Sequence, residues 1–249
     1  MILNLLCFFL AWIGPTWIGP AWIGPTWIGP GAFNSEADGL LKKYVQNGEV
    51  NYQALAERPE PLNQLYQLLD NVSLTGQDEQ ERKAFYINAY NIITIYQIVE
   101  NYPVSSPMEI SGFFDNIRHT VAGENLTLNQ LEKERLFVHH FDPRLHFVLV
   151  CAAKSCPALA DFAYTADKLD QQLEEKTRAA LNNPDFIQVR PKDEVVMLSK
   201  IFEWYEKDFL QEAPSLLAYI NQYRNQPLPS DLKIKFYEYN WQLNQLSRN

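Results

Sequence analysis

The chain has 249 residues, 47% hydrophobic and 20% charged, with a formal net charge of -9. That length fits one large domain or two small ones, and the apolar share is ample for a packed core, which excludes a disordered chain. Three cysteines cannot build a disulfide scaffold, and an acidic chain with a sequence pI near 5.0 is not a dedicated nucleic-acid binder.

Composition is uneven. The first charged side chain is Glu36, and four of the six tryptophans precede residue 32. The run MILNLLCFFLAWI, Met1 to Ile13, is too short for a transmembrane helix and has the length of a signal-peptide apolar region. AWIGPTWIGP then occurs twice in tandem, over 11–20 and 21–30. An identical copy of this kind reads as duplicated coding DNA, and its regular prolines forbid a continuous helix. Residues 1–31 are therefore read as a signal-like segment with WIGP repeats, and 35–249 as a single domain. Export to a periplasmic or extracellular location is expected, with membrane contact only through an uncleaved N-terminus.

Downstream, helices are predicted over 35–47 with Ser35 as N-cap, over 61–72, and over 78–100 behind the acidic turn Asp78–Glu81. Residues 118–127 alternate around Gly123 and predict a β-hairpin. Thr127 and Gln130 form a capping-box pattern that opens a helix to about 138. The apolar run LHFVLV, 145–150, predicts a buried strand. A helix from the Thr165 cap to Leu181, a hairpin over 186–198, helices over 200–211 and 214–224, and a strand over 234–239 complete the map. The expected fold class is α+β, a single mostly helical domain with a small, mainly antiparallel sheet.

The segment DPRLHFVLVCAAKSCP, 142–157, is the richest in reactive side chains. Strand alternation would put His146, Val148 and Val150 on one face, with Phe147, Leu149 and Cys151 on the other. Cys156 precedes Pro157, so it could cap a short helix whose N-terminus, with Lys154, lowers the thiol pKa. His146 or His119 would then serve as base. Two bland alternatives stand beside this: a buried structural Cys151, and a Cys151–Cys156 disulfide, which export would permit. The C-x4-C spacing is not the redox C-x2-C. Asn88 and Asn91 lie three apart in the longest helix, and fit either a clamp on loop backbone or an orienting amide beside the thiol. The candidate catalytic set is Cys156, His146, Asn88 and Asn91. Adjacent His139 and His140 are poor joint ligands, and no metal or cofactor is expected. Glu132 reads as a helix-start carboxylate, the aromatics Phe202, Trp204, Tyr205 and Phe209 as a core stripe, and Tyr237, Tyr239 and Trp241 as closing the core.

NAYN (88–91), FFD (113–115), VAG (121–123), LNQLE (128–132), the 142–157 segment, SKIFEWYEKDF (199–209) and YNWQLN (239–244) occur in this order. Together they resemble the domain of unknown function 547 family. The resemblance implies a bacterial-type, often exported single-domain protein with relatives in plants, and it places Asn88, Asn91, His146, Cys151 and Cys156 on family motifs. It also implies plant relatives with Ser at the position of Cys156, which argues against an obligatory thiol there, and Asp more often where this chain has Asn240. The functional expectation is a thiol-dependent hydrolase or acyl transferase acting on a small-molecule or peptide substrate. The alternatives are a non-catalytic binding module using the same cleft, and a redox-labile cysteine pair.

Overall fold

A computed structural model describes residues 27–247. The apolar run at the N-terminus and most of the WIGP copies lie outside the described residues. The first helix starts earlier than Ser35. Ile28 bridges to Val72, and helix α1 spans Pro30–Tyr44, with Pro30 in its first turn, where a proline lacks only an N–H that would be unpaired anyway. A hairpin follows, β1 (Val45–Gln46) with β2 (Glu49–Val50), turning through Asn47 and Gly48, which both have positive φ. An added Cβ at Gly48 would stand 2.6 Å from the Ala158 Cβ, so glycine there meets both the turn and a close approach.

Helices α2 (Tyr52–Glu57) and α3 (Glu60–Leu68) lead to α4 (Glu79–Glu100), the axis of the molecule. Asp78 and Glu81 cap its start reciprocally. Along α4 almost every side chain from Lys83 to Val99 is buried, because α1, α2 and α3 and the later π-helix cover it from several sides. The predicted hairpin is present as β3 (His119–Val121) and β4 (Glu124–Leu126). The Thr127–Gln130 capping box opens α5 (Leu128–Gln130), which widens into a π-helix over Leu131–Phe137.

Residues 145–150 do not form a strand. Pro143–Phe147 is a 3-10 helix capped by the Asp142 side chain, which accepts from the Arg144 N–H. Burial came from elsewhere than sheet pairing. Leu145, Val148 and Val150 pack into the cluster around α4, while Phe147 packs into a second cluster with Phe186, Phe202 and Phe209. The segment is apolar because it lies between two cores. Asp142 anchors it through Lys83 Nζ at 2.7 Å and Arg144, which also reaches Asp170. Burial pushes the Asp142 carboxyl up, but the Arg144 and Lys83 hydrogen bonds and charges outweigh it and the net shift is down.

The second cluster is built by α6 (Leu169–Asn182), β5 (Ile187–Arg190), β6 (Val195–Leu198), α7 (Lys200–Trp204), α8 (Glu206–Glu212), α9 (Leu216–Tyr223) and β7 (Lys233–Phe236). Thr165 makes no side-chain cap; a 3-10 turn over Ala166–Lys168 precedes α6 instead. β5 pairs antiparallel with β6, and β7 adds parallel to β6. The predicted helix over 200–211 is broken at Tyr205, between α7 and α8. The fold is α+β, dominated by helices, with small sheets that are mainly antiparallel. Among the described residues, no helix is long and apolar enough to cross a membrane.

Candidate functional site

A cavity of ≈520 Å³ opens where the two clusters meet. One wall is the 107–115 segment, with Phe113, Phe114 and Asp115. It is tied to the start of α5, where the Asn129 N–H donates to the Phe114 carbonyl at 2.8 Å. Tyr90 of α4 and Glu132 of the π-helix form the base, with His146, Cys151 and Cys156 beside them. Trp204 and Tyr205 close the α7 side, and Tyr239 and Trp241 the C-terminal side.

The C-terminal aromatics are held over the cysteines by backbone pairing. Lys154 N–H donates to Gln242 O at 2.8 Å, Ser155 N–H to Asn240 O at 3.2 Å, and Asn244 N–H to Ala152 O at 3.0 Å. The Ser155 hydroxyl oxygen accepts from Asn240 N–H at 2.8 Å. Residues 151–156 are therefore a turn zipped to 240–244, with Ala152 at positive φ. Cys156 caps no helix, since its amide closes a turn onto Ala153 O. Cys151 and Cys156 are disulfide-bonded, with Cα atoms 6.4 Å apart, inside the usual span of such a bridge. The Tyr239 hydroxyl lies 3.1 Å from Cys156 Sγ and 3.2 Å from Cys151 Sγ.

His146 is 5% exposed and lies between two rings, Phe137 at 4.6 Å and Tyr205 at 4.0 Å between centroids. Its Nε2 hydrogen-bonds Asp208 Oδ2 at 2.8 Å. Burial lowers the imidazole pKa, and the Asp208 hydrogen bond and charge only partly offset it, so the ring is neutral at pH 7. Glu132 is 8% exposed and receives one long hydrogen bond, from Tyr205 OH at 3.4 Å. Burial pushes its carboxyl up to about 6 against a pull down from Lys133 and Tyr205, with Asp208 adding to the rise. Burial also raises the phenols of Tyr90, Tyr205 and Tyr239, and for Tyr90 the neighbouring Glu132, Tyr205 and Tyr239 add to it.

Of the four candidates read from sequence, His146 and Cys156 line this cavity; the two amides do not. The Asn88 side chain donates to Tyr164 O at 2.8 Å and accepts from Tyr164 N–H at 2.9 Å. The Asn91 side chain donates to Val148 O at 2.9 Å and accepts from Val150 N–H at 3.0 Å. Each clamps a loop strand to α4, and Asn91 sets the stretch between His146 and Cys151. His139, His140 and His119 also lie outside the cavity. Read from sequence, Glu132 has a helix-start role, Trp204, Tyr205, Tyr239 and Trp241 lie in the core, and Asp208 has no marked role; the structure brings all but Asp208 to the cavity wall, with Asp208 behind His146. Trp204 is 49% exposed and stacks near Trp241, 6.0 Å between centroids. Its helix presents Phe202 inward and Trp204 outward, so the aromatic run is divided between core and cavity wall. Among the described residues, no group of three or more His, Cys, Asp or Glu side chains gathers as a metal site.

A family model described as "Protein of unknown function, DUF547" matches residues 74–180. Over these residues, less than half of the chain, the protein is similar to this family. The stretch carries α4, Glu132, His146 and both bonded cysteines, while Trp204, Tyr205, Asp208 and Tyr239 come from beyond it. No curated protein and no solved structure matches the chain.

Proposed function

We propose that the cavity binds a small molecule or a peptide end, and that Cys151 and Cys156 in its wall are a redox-labile pair. The observation that carries the reading is the shared cavity, where both sulfurs, His146 and Glu132 line one space under aromatic walls. A disulfide persists in oxidising compartments, which supports an exported chain. Opening the pair takes two electrons and two protons from an external dithiol, which is itself oxidised.

The second reading is thiol-dependent hydrolysis or acyl transfer by the opened form, favoured by the neutral, Asp208-bound His146 at the same cavity. Cys156 would attack a carbonyl carbon, with His146 taking the thiol proton and returning it to the leaving group. Water or an acceptor alcohol would then release the acyl group from sulfur.

Peptide-resolved alkylation of the full chain tests both. Without reductant, Cys151 and Cys156 should stay unlabelled. In a mildly reducing glutathione buffer both should open, with Cys156 labelled first. Labelling without reductant, or a pair that stays closed until the protein unfolds, would overturn the redox-labile reading. Under the second reading His146→Ala slows alkylation of opened Cys156 at pH 7; an unchanged rate removes His146 as the base.

A further inference from the structure

The walls of the cavity have one electrostatic sign. Among its described lining residues there is no lysine or arginine, while Glu132 lies at the base and Asp115 at the rim. His146 adds no positive charge at neutral pH, since burial keeps it deprotonated. The one cation that acts on Glu132, Lys133, follows it in the chain and is not in the lining. Around the carboxylates stand seven aromatic rings, among them Tyr90, Trp204, Tyr205, Tyr239 and Trp241. Tyr239 and Trp204 centroids are 4.9 Å apart, and Tyr239 and Trp241 centroids 4.7 Å apart, so the three rings pack against one another as one aromatic patch in the cavity wall.

Glu132 supplies an independent indication. The side chain is more than nine-tenths buried, lines the cavity, and its Oε2 has no hydrogen-bond partner among the described residues. That oxygen is not enclosed by protein, so it faces the cavity, where a charged or hydrogen-bonding ligand can meet it. Ring faces carry negative quadrupole potential, and cages of Trp and Tyr with a carboxylate are the arrangement that recognises substituted ammonium groups.

We propose that the cavity takes a ligand bearing a cationic substituted ammonium group, held against the faces of Trp204, Tyr239 and Trp241 and neutralised by Glu132. This deepens the reading of the cavity as a ligand site and rests on it, but needs neither an open disulfide nor any thiol chemistry.

The test uses the full chain with its disulfide intact. Choline is titrated over the millimolar range by ligand-observed NMR or calorimetry, beside its neutral carbon isostere 3,3-dimethylbutan-1-ol and the anionic 3,3-dimethylbutanoate. Choline should bind at least about tenfold more tightly than the neutral alcohol, and the carboxylate should not bind. Trp204→Ala and Glu132→Gln should each weaken choline by about tenfold with thermal unfolding still cooperative. Trp241→Leu is a second aromatic variant in case the first fails to fold. Equal binding of choline and the alcohol, preference for the carboxylate, or no choline binding at all would overturn the inference. If choline binds while the cysteines prove inert, the ammonium site stands and the redox reading falls. If the cysteines open as expected while choline fails to bind, the redox reading stands and this inference falls.

Discussion

Glu132 makes a quantitative prediction, because the same burial that suits it to a ligand works against the fold. Its carboxyl titrates at about 6 rather than 4.5, with desolvation the largest cause. In the interval between those values the native state holds a proton that the unfolded chain has released. Unfolding therefore releases protons, and the contribution of Glu132 to stability declines as pH rises from 4.5 to 6. At about 1.4 kcal/mol per pH unit, that interval amounts to about 2 kcal/mol against the native state at pH 7 and above. Glu132→Gln keeps the shape and removes the charge, so it should be near neutral at pH 4 and stabilising by about 2 kcal/mol at pH 8. Urea unfolding of both proteins at the two pH values measures this, and the difference between them cancels the titrating groups that do not interact with Glu132. The variant should gain stability while it loses choline affinity, as expected of a group kept for binding. A stability difference that is the same at both pH values, or a variant less stable at pH 8, would refute the reasoning.

Two further outcomes follow from buried polar groups elsewhere. His119 is 3% exposed and burial holds its imidazole down to about 4. The unfolded chain takes up a proton below 6.5 that the native state refuses, so stability should fall by about 3 kcal/mol as pH drops from 6.5 to 4. His119→Gln should flatten that part of the profile in urea melts, and a parallel profile would show that the ring is not excluded from protonation. For the helix clamps, Asn91→Ala leaves Val148 O and Val150 N–H without their side-chain partner, and Asn88→Ala does the same at Tyr164. Each should destabilise by about 2–5 kcal/mol with choline affinity of the folded protein unchanged. Lost affinity at undiminished stability would return these amides to the site.

What the sequence disclosed divides along a physical line. Local chemistry was legible. The acidic helix start at Asp78–Glu81, the capping box at Thr127, the hairpin around Gly123 and the hairpin that pairs β5 with β6 each depend on a few neighbouring residues. The run at 145–150 was not, because periodicity registers burial and not the partner that causes it. A strand buried on both faces and a 3-10 segment wedged between two cores give the same apolar letters. The misassignment carried over to the site, since strand alternation set His146 opposite Cys151, whereas the 3-10 turn brings both to one cavity.

The same limit explains which site residues were seen. His146 and Cys156 stand out by residue type, whereas Glu132, Tyr205 and Tyr239 are ordinary letters until tertiary contacts bring them together. Glu132 lies in the π-helix that follows α5, and Tyr205, whose hydroxyl reaches it, lies at the break between α7 and α8. Such local departures from regular helix are common where a side chain is re-aimed at a functional site. Of the quoted motifs, LNQLE ends on Glu132, EWYEKDF holds Trp204, Tyr205 and Asp208, and YNW holds Tyr239 and Trp241. Those motifs were read one at a time, as a cap, a core stripe and a core closure. Assigning them to one space needs the zipped 151–156 and 240–244 segments, a pairing across almost ninety residues that local pattern does not encode. A cavity assembled this way should be sensitive to changes that loosen the C-terminal segment. Truncation before Tyr239 would remove two of its rings and the hydroxyl over the disulfide together, and so should abolish choline binding and speed reduction of the cysteine pair.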